Sequence, residues 1–196
     1  MSVEATRRGF LRQLGFGVGV VALGGSAGLL MKPTVAEAAM PWHGYSQAQR
    51  NSMIIARGLQ DAGKKVNGGI ECKPWVQIVV PDASRSVVYV PRTINNGIGY
   101  SNDQRWEPSP DVVGWCKPIR NVVPGETLQM SLRTTTRQAR TGGFWTPHTA
   151  IMVGVSSSGM QWVDSNFNED LTVRSHFVLF SYFTDKVMAY SVYYFL

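Results

Sequence analysis

The sequence predicts an α+β domain in which helices come first along the chain and a mainly antiparallel sheet follows. Residues 46–80 show helical hydrophobic spacing and a helix-capping signal, whereas from Thr127 onward short apolar runs are separated by turn residues. Helices and strands that are segregated along the chain in this way are typical of α+β folds.

The first 38 residues are predicted to be an export signal rather than part of the fold. Arg7 and Arg8 precede an apolar run rich in Gly and Ala, and the segment ends in the small-residue pattern AEA. This order is that of an export signal, and the paired arginines indicate the twin-arginine route. A membrane anchor is the alternative, but the apolar stretch 16–31 is short for a span. We therefore expect a periplasmic or secreted protein with one mature domain, residues 39–196, and membrane contact only through an uncleaved signal.

The first helix is predicted to begin at Ser46, because Gln49 stands three residues later and completes a capping box. Ile55 and Leu59 then fall on one face at helical spacing. Gly63 is the predicted stop of this helix.

The stretch GGIECKPWVQIVV predicts a second short helix that begins at Cys72. Pro74 is tolerated in its first turn, where N–H groups have no intrahelical partner, and Pro81 is expected to end it. These N–H groups and the helix dipole stabilise a thiolate and are placed to bind an oxyanion. Cys72 is therefore a candidate nucleophile.

The second half of the chain is predicted to form the sheet. The region between the second helix and Thr127 is rich in proline and reads mainly as ordered loop. Five β-rich runs follow, with SSSG as a predicted hairpin turn between the second and the third. These runs are TLQMSL, HTAIMVGV, MQWVDS, VRSHFVLF and AYSVYYF.

One histidine is placed to act as the base for Cys72. His148 opens its strand directly after Pro147, and the SSSG hairpin would bring the end of the next strand beside it. Period-two alternation places Asp164 and Asn166 on one face of that strand. We expect His148 to exchange protons with the thiol, with either Asp164 or Asn166 orienting the imidazole.

The sequence around these residues resembles the CHAP/NlpC branch of the papain-like cysteine amidases and peptidases. In that family the nucleophile lies at a helix N-terminus in a G-x-x-C-x-x-[WY]-V context. A Pro-Gly-Asp-type turn begins the first barrel strand, and an H-[VT]-[AG]-I strand carries the base. The matching segments here, in chain order, are GGIECKPWV, PGETLQM, PHTAIMVGV, WVDSNF and AYSVYYF.

The resemblance implies a papain-like fold, with N-terminal helices packed on a five- to six-stranded antiparallel half-barrel. It implies that Cys72 is the nucleophile, His148 the base and Asp164 or Asn166 the orienting residue. The implied reaction is hydrolysis of amide bonds, most directly in peptidoglycan peptides, without a metal or an organic cofactor. The chain departs from the family pattern at Glu126, which replaces Asp, and at the orienting residue, which is usually Glu or a second His.

The second cysteine leaves an alternative open. An exported protein with two cysteines ordinarily forms a disulfide, and a Cys72–Cys116 bridge would stabilise the fold by about 3 to 4 kcal/mol. The bridged chain would be a non-catalytic envelope binding or assembly protein that retains the fold. A different acyl transfer on the same residues, such as transpeptidation, is a third reading.

Composition excludes some partners and leaves two aromatic residues ambiguous. The chain carries 19 Lys and Arg against 13 Asp and Glu, but these charges are scattered, so no nucleic-acid partner is expected. No Cys/His set has zinc-site spacing. Trp75 and Trp145 are candidates to line a substrate groove, with a core position as the alternative.

Overall fold

The computed structural model describes residues 41–95, 104–115, 117–133, 145–167 and 169–196. Within these ranges it contains three α-helices, α1 (Gln47–Leu59), α2 (Cys72–Ser84) and α3 (Phe180–Lys186). The strands of these ranges are β1 (Thr93–Asn95), β2 (Gln104–Trp106), β3 (Val112–Trp115), β4 (Thr127–Arg133), β5 (Trp145–Val155), β6 (Gly159–Ser165), β7 (Val173–Leu179) and β8 (Val187–Phe195).

The described strands form two sheets, and the larger one confirms the predicted class. β1 and β2 pair as a separate two-stranded antiparallel sheet. The other six strands form one antiparallel sheet in the order β3-β8-β4-β5-β6-β7. The fold is therefore α+β, with two helices before a six-stranded sheet, and all described residues fall within one compact unit, Pro33–Leu196.

The helix boundaries follow from local chemistry, with two departures from prediction. The predicted capping box between Ser46 and Gln49 is present at the start of α1. α1 ends at Leu59, earlier than expected, and Gly63 closes the following turn with a left-handed φ of 84°. Pro81 does not end α2 but lies inside its last turn, and the helix ends at Ser84.

The six-stranded sheet separates two apolar clusters. On one side, Ile151 and Val163 pack with apolar side chains of α1 and α2. On the other, strand residues of the opposite parity, including Met152 and Trp162, pack with apolar residues of α3. This is the alternation expected of a sheet buried on both faces.

The predicted export signal, residues 1–38, and Cys116 lie outside the described residues. Among the helices that are described, none combines the length and the apolar character needed to cross a membrane.

Candidate active site

Cys72 is the first residue of α2, as the sequence predicted. Glu71 is the N-cap and has an extended backbone. Gly69, two residues before Glu71, has a φ of 117°. A Cβ at this position would lie 2.8 Å from Leu171 Cβ, so the position requires glycine. Cys72 is 8% exposed and is a free thiol, so the alternative of a Cys72–Cys116 disulfide is wrong for this structure.

Two side chains at the end of β6 hold the segment that leads to the nucleophile. Ser165 Oγ donates a hydrogen bond of 2.6 Å to the carbonyl oxygen of Ile70. Asn166 Nδ2 donates one of 2.6 Å to Oε2 of Glu71. Both residues that precede the thiol are therefore fixed to the strand that carries Asp164.

His148 and Asp164 meet because β5 and β6 pair through the predicted hairpin. The register pairs Ile151 with Val163 and continues to place Ala150 beside Asp164, so that His148 is its diagonal neighbour on the same face. His148 Nε2 lies 2.9 Å from Asp164 Oδ2. The two residues are 5% and 0% exposed, so the pair is shielded from water.

The thiol and the imidazole form a charge pair. Burial alone would raise the pKa of Cys72, but the charge of His148, its hydrogen bond and a backbone hydrogen bond from Thr149 lower it overall. Burial would lower the pKa of His148, but the charges of and hydrogen bonds to Asp164 and Cys72 raise it to about 10. The two shifts together favour the form of the pair in which a thiolate lies beside an imidazolium.

The ring nitrogens of His148 have separate partners. Nε2 is occupied by Asp164, which leaves Nδ1 for the hydrogen bond with the Cys72 thiol. A thiol, an imidazole and a carboxylate in series can deprotonate a nucleophile and return the proton to a leaving group.

A second histidine, His176, also faces the carboxylate of Asp164. Its Nε2 lies 3.4 Å from Asp164 Oδ2, and the indole N–H of Trp162 donates to the same nitrogen. Phe167 packs against both imidazoles, with ring centroids 5.6 Å from His148 and 4.5 Å from His176. The carboxylate is therefore enclosed by aromatic rings.

Lys73, the residue after the nucleophile, joins α2 to the two-stranded sheet. Its Nζ donates a hydrogen bond of 2.5 Å to Thr93 Oγ1 and lies 4.9 Å from the ring centre of Trp106. Burial lowers the pKa of Lys73 to about 8, and the charges of Glu107 and Cys72 oppose that shift. An ammonium group therefore lies within the electrostatic range of the thiolate.

The structure brings together three of the six predicted site residues: Cys72, His148 and Asp164. Asn166 does not reach the imidazole. It follows β6 with a left-handed φ of 65°, which ends the strand alternation, and its amide instead binds Glu71 and the N–H of Leu171. Of the two candidates, Asp164 is therefore the one that hydrogen-bonds the imidazole of His148.

The two predicted groove tryptophans have different outcomes. Trp75 is 0% exposed and packs in the core between α1 and the sheet, so its prediction as a substrate-binding residue is wrong. Its indole N–H donates to Asp61 Oδ2 at 3.0 Å. Trp145 begins β5, and its side chain lies outside what the structure describes.

Two residues of the site, Ser165 and His176, were not predicted from the sequence. The signal for His176 was the pairing of β6 with β7, which sets His176 opposite Trp162 and Arg174 opposite Asp164. Same-face parity along β6 would have placed Trp162 beside Asp164. In the described part of the chain, no three His, Cys, Asp or Glu residues are arranged to hold a metal ion.

Comparison with known proteins adds little to this geometry. No protein-family model matches the sequence, and no curated protein does. Among solved structures, the chain is similar to the crystal structure of Ly7917, at 11% sequence identity and a TM-score of 0.49. The similarity covers 76% of this chain and 62% of that chain, which is less than two thirds of its length. This likeness does not bear on activity.

Proposed function

We propose that this chain is an exported cysteine hydrolase of the papain-like CHAP/NlpC type that cleaves amide bonds. The observation that carries the proposal is the buried series in which the Cys72 thiol hydrogen-bonds His148 and His148 hydrogen-bonds Asp164. The α+β order of the elements and the ordered set of resembling motifs support the same family.

The first half of the proposed reaction forms a thioester. The Cys72 thiolate attacks the amide carbonyl carbon, and the negative charge moves to the carbonyl oxygen. The first-turn N–H groups of α2, those of Cys72 and Lys73, are the donors placed to stabilise that oxyanion. His148 then donates its proton to the amine, the C–N bond breaks, and the amine leaves.

The second half releases the acid. His148, now neutral, removes a proton from a water molecule that attacks the thioester carbonyl. The C–S bond breaks, the carboxylic acid leaves, and the proton held by His148 restores the thiolate–imidazolium pair. Asp164 keeps its charge throughout and holds the imidazole in one orientation and one tautomer.

Peptidoglycan peptides are the proposed substrate. The export signal would place the enzyme in the compartment that contains the cell wall, and the resembling family includes enzymes that cleave amide bonds. A hydrolysed stem peptide or cross-link would release one new amine and one new carboxylate per event.

The test is the release of soluble fragments and new amino groups from purified peptidoglycan by the mature protein. Cys72→Ala is expected to lower that rate by about 10⁴-fold or more, as loss of a nucleophile does elsewhere. Cys116→Ala is the matched control and is expected to retain activity, because Cys72 is a free thiol.

Three outcomes would contradict the proposal. Equal product release by the wild type and Cys72→Ala would remove the thiol mechanism. Stoichiometric binding of wall fragments by the wild type, with no product, would instead favour the envelope-binding alternative. Incorporation of an added amine into the product would indicate acyl transfer rather than hydrolysis.

A further inference from the structure

Asp164 has two histidine neighbours at one oxygen. Its Oδ2 lies 2.9 Å from Nε2 of His148 and 3.4 Å from Nε2 of His176, and the residue is 0% exposed. Two protonated imidazoles at this oxygen would divide its negative charge between them. The proposed mechanism requires the negative charge of Asp164 at His148. Some feature must therefore prevent His176 from donating a hydrogen bond to the same oxygen.

The indole of Trp162 supplies that feature. Its N–H donates to Nε2 of His176, and an indole nitrogen has no acceptor role. Nε2 of His176 is therefore the acceptor of this bond and carries no proton, so the neutral ring is protonated at Nδ1. In that tautomer His176 has no N–H to give to Asp164, although the two groups are close.

We propose that Trp162 and His176 are positioning residues. The indole N–H of Trp162 fixes the tautomer of His176, so that Asp164 hydrogen-bonds His148 alone. The inference rests on the proposed function for its catalytic meaning. Its structural content, the tautomer of one ring, stands without any substrate.

The charges around His176 favour the neutral ring. Burial lowers the pKa of His176, and the positive charges of His148 on β5 and Arg174 on β7 lower it further. The carboxylate of Asp164 on β6 is the group that opposes this shift. The other described contacts of the ring, Trp162 and Phe167, carry no charge.

Loss of the indole N–H has a defined consequence. Nε2 of His176 would then be open to a proton as the pH falls below the ordinary pKa of a histidine, because burial and its positively charged neighbours lower the pKa of this ring. The protonated ring would donate to Asp164 and draw the carboxylate from His148. The imidazolium of His148 would lose its partner and gain a like charge at the same time.

The first test reads the ring nitrogens of His176 in the wild-type protein by ¹⁵N-resolved NMR. At neutral pH we expect a neutral ring with the proton on Nδ1. A proton on Nε2, or a doubly protonated ring, would overturn the proposal. This measurement needs no substrate, so a chain that proves to have no hydrolase activity can still pass or fail it.

The second test compares Trp162→Phe with the double variant Trp162→Phe/His176→Leu. The reporter is the Nε2–H proton of His148, followed from about pH 8 down to pH 5. In Trp162→Phe the hydrogen-bonded, downfield signal is expected to weaken as the pH falls. In the double variant it is expected to persist as in the wild type, because no second imidazole competes.

Either of two results in the second test would overturn the proposal. A signal in Trp162→Phe that does not change with pH would show that the indole N–H protects nothing. A loss that is equal in the double variant would show that lost packing, not competition by His176, is the cause. If Trp162→Phe does not fold, His176→Leu alone must keep the His148 signal at wild-type strength down to about pH 5, and a weaker signal would count against the proposal.

Discussion

Two buried aspartates of this molecule, Asp61 and Asp164, have similar surroundings and different properties. Asp61 is 8% exposed, and its Oδ2 accepts from the indole of Trp75 at 3.0 Å and from Arg57 at 2.8 Å. Asp164 is fully buried, and its Oδ2 faces two imidazoles.

The difference between them lies in the partner rather than in the burial. A guanidinium stays protonated at every pH at which the protein is folded, so Arg57, the partner of Asp61, keeps its charge. The imidazole of His148 gains and loses a proton in the proposed reaction, so the charge of Asp164 acts on a group whose proton moves. Burial alone therefore does not separate the candidate site residue Asp164 from Asp61; the chemistry of the partner does.

The largest expected effect is that of Asp164→Asn on catalysis. The substitution keeps the shape but removes the charge that holds the His148 imidazolium, so we expect kcat to fall by about 10³- to 10⁴-fold. Asp61→Asn is the matched variant and is expected to keep kcat within about twofold. Steady-state hydrolysis of a peptidoglycan peptide measures both. Equal losses would remove the distinction between the two aspartates.

The effect of Asp61→Asn should appear in stability rather than in catalysis. Asp61→Asn is expected to lower the free energy of unfolding by about 1.5 to 3 kcal/mol, because it weakens hydrogen bonds that involve charged groups. Urea unfolding of both variants at neutral pH measures this. A stable Asp61→Asn protein with poor catalysis would show that Asp61 acts on the site.

The pH dependence of the thiol sharpens the same comparison. Because the pKa of Cys72 is lowered, its alkylation should begin at a lower pH than that of an ordinary thiol. Because the pKa of His148 is raised to about 10, hydrolysis should decline as the pH rises through that value and the general acid is lost. Asp61→Asn should leave both limits unchanged.

In Asp164→Asn the alkaline limit of hydrolysis should move to lower pH. The imidazolium of His148 loses the charge that raises its pKa, so the ring loses its proton earlier. Alkylation and hydrolysis rates measured over the same pH series test this. An alkaline limit that matches the wild type would show that the carboxylate does not control His148.

The sequence predicted the parts of the site that lie within regular elements. The capping box and the helix that begins at Cys72 were predicted from local signals. Strand alternation then sufficed to place His148 and Asp164 on one face. Asn166 was misplaced because alternation holds only inside a strand, and this residue follows the end of β6 with a left-handed backbone.

The remaining errors have a different cause. Trp75 was ambiguous because a single aromatic residue at helical spacing does not reveal which side of the helix is covered by the sheet. His176 lies near Asp164 only through the register of β6 with β7, which is set by packing that no short motif records. The register of β6 with β7 therefore had to come from the structure, whereas the SSSG turn predicted the pairing of β5 with β6.

An intermediate effect is expected from the tether between Asn166 and the helix that carries the nucleophile. Asn166→Gly keeps the left-handed backbone but removes the amide that binds Glu71. Because a small displacement of a reacting group is costly, we expect kcat to fall by about 10- to 100-fold with little change in Tm. The measurement is steady-state kinetics beside thermal unfolding.

The control for this tether is Gln47→Ala, which removes a hydrogen bond of similar length, 2.7 Å, to Asn51, away from the tether. It is expected to leave kcat unchanged. If Asn166→Gly also leaves kcat unchanged, the tether holds the loop without positioning the thiol.

The smallest expected effect is that of Lys73, whose charge lies near the thiolate without contacting the imidazole. The thiolate of Cys72 raises the pKa of Lys73, and by linkage the ammonium must stabilise the thiolate to the same extent. Lys73→Met keeps an apolar chain over Trp106 but removes the charge. Alkylation of Cys72 at neutral pH is therefore expected to slow by about two- to fivefold, the size of a partly screened charge pair.

The control is Lys65→Met, which removes an exposed lysine and is expected to leave the alkylation rate unchanged. If Lys73→Met is alkylated as fast as the control, the charge of Lys73 does not contribute to the lowered pKa of the thiol. His148 and the helix terminus would then be its remaining sources.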